Sequence, residues 1–158
     1  METNVVKIPL DKGLFAVIDQ QDFELVSKYR WYARKGKNGV FYATSTLFKN
    51  IHMHRIILGA TTELVDHKNQ DGLDNRRCNI RLVTHLQNNC NKRSYQKVSS
   101  KFKGVYWNKT KQKWSSQITP PGQRTKHVGH FKSEIEAAKA YNEKAKIYHG
   151  DFAYLNPV

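Results

Sequence analysis

With 158 residues the chain has room for one ordinary domain or two small ones, and its apolar share of 39% permits folding without a large core. No apolar run is long enough to span a membrane, which excludes a helical integral membrane protein. The net charge is +14, and residues 75 to 133 hold 14 Lys and Arg with no Asp or Glu, so the excess sits on one segment and points to a polyanionic partner.

Met1-Glu2-Thr3-Asn4 does not open a secretion signal, so an intracellular, non-secreted product is expected. Residues 1 to 60 read as an antiparallel β region. Leu14 to Ile18 is an apolar run of strand length. Asp22 to Tyr29 has room for one or two helical turns, with Phe23, Val26 and Tyr29 inward. Trp31-Tyr32-Ala33 and Val40 to Thr44 flank Lys37-Asn38-Gly39, and Asn-Gly between strand-like runs predicts a hairpin. Trp31, Tyr32, Phe41 and Tyr42 are read as core. His52 and His54, two apart in the run Ile51 to Leu58, are expected on one strand face as polar residues packed beside the next segment.

That next segment is the most informative. Leu64-Val65 runs into Asp66-His67, a loop rich in Asn, Asp and Gly follows, and such residues supply turns and positive φ angles. Ile80-Arg81-Leu82-Val83 alternates like a strand, and Thr84 is placed to cap a helix from about His85 that carries Asn88. The order is strand, loop, strand, helix. Asp66, His67, Asn79 and Asn88, with Asn75-Arg76 and the run from Ile80 to Thr84, resemble the HNH nucleases, specifically their homing-endonuclease branch. Some members of that family carry zinc on paired Cys-x-x-Cys motifs. This chain has only Cys78 and Cys90, expected to be ordinary buried or partly buried thiols.

The chemistry of these residue types agrees with the resemblance. Hydrolysis of a phosphodiester needs an activated water and something to absorb charge on the leaving oxygen. His67 has the intrinsic pKa of a general base. Asp66 and the Asn88 amide are hard oxygen donors in a sparse set of the kind Mg²⁺ accepts. Asn79 is expected to orient the His67 ring. The resemblance assigns the same parts: one divalent cation, Mg²⁺ with Mn²⁺ as the alternative, on Asp66 and Asn88, His67 as base and Asn79 as its positioner. It also implies ends with 5′-phosphate and 3′-hydroxyl. His85, three residues before Asn88, is read as capping or solvent-facing, with metal or phosphate contact as the other option.

Residues 94 to 101 have the composition of a basic linker. Arg76, Arg77, Lys92 and Arg93 are expected to meet the DNA backbone. Beyond the linker, Phe102 to Trp107, Lys113 to Ile118 and Arg124 to Phe131 read as three strands, with Pro120-Pro121-Gly122 as a turn. Ser133 and Glu136 make a capping box for a helix whose apolar face is Ala138, Tyr141, Ala145 and Tyr148, closed by Gly150. Lys103-Gly104-Val105, Lys113-Trp114, Val128 to Phe131, Glu136 to Tyr141 and Leu155-Asn156 resemble the APETALA/ethylene-response-factor DNA-binding domain of plants. That resemblance implies a sheet laid in the major groove through Lys103, Tyr106, Asn108, Lys113, Gln117, Thr119, Thr125 and His127, with Trp114 and Ile118 turned to the helix. Tyr106, Asn108 and Thr119 stand where the plant proteins use arginines, so a preference for GC-rich targets is not carried over.

The sequence thus predicts an α+β protein: a β region at 1–60, an HNH unit at 61–93, a linker at 94–101 and a DNA-binding domain at 102–158. The expected activity is monomeric, metal-dependent cleavage of double-stranded DNA, with no membrane or small-molecule partner. A DNA-binding regulator with an inert nuclease unit is the alternative.

Overall fold

Alternation builds the amino-terminal hairpin: Val6 and Ile8 of Val5–Pro9 (β1) turn inward, and Phe15–Asp19 (β2) answers with buried Ala16 and Ile18. The computed structural model describes residues 4–37, 39–47, 50–93 and 99–158, and the chain divides into two compact units, Met1–Thr84 and His85–Val158. The architecture is α+β, with antiparallel sheets and few helices.

In the first unit a 3₁₀ turn leads into one helical turn, Phe23–Val26 (α1). Val26 is buried as expected and accepts a 2.9 Å bond from the Trp31 indole, whereas Phe23 is exposed. Tyr32–Lys35 (β3), Phe41–Ser45 (β4) and Ile51–His52 (β5) form an antiparallel sheet in that order. Asn38 of the expected hairpin turn lies outside the described residues. The strand expected over residues 51 to 58 stops after two residues and becomes a helix, Met53–Leu58 (α2). The helical signal is Met53, Ile56 and Ile57, one face at three- and four-residue steps, with Gly59 at φ 64 ending the helix. Met53 and Ile57 join Ala16, Ile18, Val26 and Trp31 in the core, each large side chain contributing about 1.5–3 kcal/mol by burial. Leu64–His67 (β6) and Ile80–Val83 (β7) pair antiparallel, Asp66 opposite Arg81 and His67 opposite Ile80.

The second unit begins with His85–Asn91 (α3) and continues as Val105–Asn108 (β8), Lys113–Ile118 (β9) and Lys126–Phe131 (β10), a sheet in the order β10-β9-β8. Residues 94–98, most of the expected linker, are outside the described residues. Glu134–His149 (α4) starts at the Ser133/Glu136 capping box. Its alanines at 137, 138 and 145 are fully buried, so the helix backbone sits close on the sheet, and Ile118 packs on Tyr141. Gly104 has φ 74, and a Cβ there would strike the Tyr141 ring, so only glycine fits. Cys90 is buried, its thiol donating to the Leu86 carbonyl, while Cys78 is exposed rather than buried.

Candidate active site

The loop between β6 and β7 carries most of the motif, and its own amides and carboxylates shape it. Asn69 Oδ1 accepts from the Asp71 N–H and Asp71 Oδ1 from the Leu73 N–H, both at 2.9 Å. Such Asx turns are what this composition promises, but the positive φ falls on Gln70, at 62°, and not on Gly72. The loop is also stitched to the hairpin before it. Val17 N–H donates to Leu73 O and Asn75 N–H to Val17 O, at 2.8 and 2.7 Å.

Asn79 is the staple that closes the loop. Its Oδ1 accepts from the Asn69 N–H at 3.0 Å, its Nδ2 donates to the Asp74 carbonyl at 2.7 Å, and its own carbonyl accepts from the Lys68 N–H at 2.9 Å. These bonds grip the backbone just after His67. Asn75, which is fully buried, acts to raise the His67 pKa and so favours the protonated imidazole. Sequence reasoning noted Asn75 as part of the pattern and gave it no role.

His67 is buried at the end of β6, and burial lowers its pKa, opposed by Asn75 and by the charges of Asp66, Asp71 and Asp74. Around it stand Tyr42, with ring centroids 5.9 Å apart, and His54, at 4.9 Å and 89°. Gly72 lets Tyr42 come this close: a Cβ on Gly72 would lie 2.5 Å from Tyr42 Cδ1 and collide with the Phe41 carbonyl. Gly72→Ala therefore forces the ring or the loop to move. It is expected to lower the stability of the first unit by about 1–3 kcal/mol in chemical denaturation, and a loss under about 0.5 kcal/mol would show that the close approach is not needed.

Asp66 is buried beside His67, and Arg81 binds its Oδ2 through Nη2 at 2.9 Å and Nε at 3.2 Å. Among the described residues no three His, Cys, Asp or Glu side chains gather as a metal cage. A hard carboxylate next to an imidazole matches a cation that takes few protein oxygens and keeps its waters, so this donor chemistry fits a Mg²⁺-like ion better than zinc. Asn88 is half-buried on α3, in the second unit. The end of that helix is held by Lys103, whose ammonium donates to the carbonyls of Asn89 and Cys90 at 3.2 and 2.6 Å. Burial brings the Lys103 pKa down to about 8. His85 is exposed at the start of α3.

The residues expected on DNA divide into two groups. Arg76 and Arg77 are turned onto carboxylates: Arg76 grips Asp74 through Nε and Nη2, both at 2.7 Å, and Arg77 grips Asp22 through the same atoms. Lys103 is likewise spent on α3. Lys92 and Arg93 are exposed. On the sheet, register places Tyr106 beside Ser115 beside His130, Asn108 beside Lys113, and Gln117 beside His127, on the side opposite Ile118 and α4. Lys113, Gln117 and His127 are exposed, Tyr106 and Asn108 half-buried, and the hydroxyls of Thr119 and Thr125 bond each other at 2.7 Å. His130 was not expected on this face. A bulge between His127 and Gly129 shifts the parity of β10, bringing the His127 and His130 rings to 4.5 Å, and Ser115 fixes His130 at 2.8 Å.

No helix among the described residues is long and apolar enough to cross a membrane. No family model matches the chain, and no solved structure matches it significantly. It is 32% identical over 154 residues to a protein of Acanthamoeba polyphaga mimivirus named as an uncharacterized HNH endonuclease, an alignment covering 93% of this chain and 77% of the relative. An alignment of that extent takes in the whole stretch from Asp66 to Asn88 that carries the motif, and this chain belongs to the HNH endonucleases.

Proposed function

We propose that this protein is a divalent-cation-dependent endonuclease of the homing type that hydrolyses phosphodiester bonds in double-stranded DNA. The observation that carries the reading is an aspartate and a histidine, both buried and consecutive at the end of β6, with an asparagine-stapled loop following them. His67 takes the proton from the attacking water, and Asn75 and the nearby carboxylates favour the imidazolium that results. Asn79 holds the loop that aims the ring. By the motif, Asp66 and Asn88 would be the residues that hold the cation. When bound, the cation supplies positive charge to the scissile phosphate and the leaving oxygen. Arg81 fixes the Asp66 carboxylate in place through Nη2 and Nε.

The carboxy-terminal unit is proposed as the DNA-binding module, of the APETALA/ethylene-response-factor type. Its exposed sheet face presents Tyr106, Asn108, Lys113, Gln117, Thr119, Thr125 and His127 to the major groove, with Lys92 and Arg93 on the backbone. Residues 85–133 of that unit hold 11 basic and no acidic side chains, which supports this.

The test is a plasmid library incubated with the protein and Mg²⁺ or Mn²⁺. Nicks or breaks that recur at one sequence, carry ligatable 5′-phosphate ends and vanish with EDTA are expected. DNA retained in gel shifts without any metal-dependent cutting would instead make the protein a binding regulator.

A further inference from the structure

The geometry points to His54 as a positioning residue for the His67 imidazole. Its ring packs at 89° to His67 with centroids 4.9 Å apart, and its other contacts fix it in turn. His52 stacks on it at 5.2 Å and 15°, and the Thr44 hydroxyl, paired across β4 and β5, holds His52 Nδ1 at 2.9 Å. Tyr42 lies within 6.1 Å of all three histidine rings. The ring carried by α2 is thus a wall, braced from Thr44 through His52, against which His67 leans.

Two further observations separate this arrangement from ordinary core packing. His54 is 7% exposed, and its Nδ1 is buried with no hydrogen-bond partner among the described residues, an arrangement that costs stability and that phenylalanine would avoid. Burial, with His67 and His52 adding to it, pulls the His54 pKa down to about 2, so the wall places no positive charge beside a base that must become cationic. An edge-to-face contact constrains the tilt of the neighbouring ring, which an aliphatic chain of equal volume does not.

This inference rests on His67 being the base, and the test keeps the two apart. His54→Phe and His54→Leu both remove the nitrogens and fill the space, but only phenylalanine keeps a planar ring. With a supercoiled plasmid that the wild-type protein nicks, single-turnover rates of His54→Phe are expected within about threefold of wild type. Those of His54→Leu should fall about 10- to 100-fold, the range for losing a residue that orients a catalytic group. Half-saturating DNA concentrations should stay within about twofold in both, as a ring-orienting role requires and a general packing defect would not give. In ¹⁵N-histidine spectra the His67 ring signals should stay as in wild type with His54→Phe and shift or broaden with His54→Leu. Equal rates in the two variants, fast or slow, or a slower His54→Phe, would overturn the assignment. Retained cutting in His67→Ala would remove the base assignment itself, whereas an inactive His67→Ala with an undiminished His54→Leu removes only the role of His54.

Discussion

His67→Ala is expected to lower the rate of DNA nicking by about a thousandfold while leaving the half-saturating DNA concentration within about twofold of wild type. The change removes the imidazole proposed to take the proton from water. It leaves in place the Arg81–Asp66 pair and the Asn79 staple, neither of which passes through the imidazole. His67→Gln belongs in the same experiment, because alanine opens a cavity at a buried position and glutamine largely fills it. Equal losses in both variants, with unfolding midpoints within a few degrees for glutamine, separate chemistry from folding. Nicking by His67→Ala at the wild-type rate would end the base assignment.

Arg77→Ala should damage the fold rather than DNA affinity. The Asp22 carboxylate is 2% exposed and accepts from Arg77 Nε and Nη2, while Nη2 also donates to the Ile57 carbonyl at 3.1 Å. Removing the guanidinium strands a buried charge, a change that costs about 3–5 kcal/mol in enclosed pairs. The Arg77 side chain is 44% exposed, which screens the pair and brings the expected loss to about 2–3 kcal/mol. That is a large share of the stability of a small unit. Denaturant titration reads it directly, and Asp22→Asn combined with Arg77→Met should recover part of the loss. An unchanged midpoint together with a DNA affinity whose salt slope falls by about one would show instead that Arg77 serves phosphate.

Local signals were legible and distant ones were not. The Ser133/Glu136 box, the small-residue face of α4 and the alternation of β7 each depend on residues within a turn or two, and each lies where the sequence puts it. The Asp66-His67 ending of β6 is local in the same sense. The helix Met53–Leu58 was hidden because His52 and His54 suggest alternation, while the Met53–Ile57 spacing that decides the matter needs a core to pack on. Arg76 and Arg77 look alike in a basic segment. One partner, Asp74, stands two residues away and the other, Asp22, stands 55 away, and charge counting sees neither pairing. The grouping of Tyr42, His52, His54 and His67 arises from four separate elements, so no spacing in the chain announces it.

The bonds from Val17 and Asp19 to the motif loop bear on how this nuclease can be borrowed for other uses. A cassette cut from residues 61–93 would take every letter of the signature. It would leave behind the β2 backbone that clasps Leu73 and Asn75, and the carboxylates that receive Arg77. Any transplant of the motif must start upstream of β1, because the motif loop borrows its rigidity from the segment least marked in the sequence.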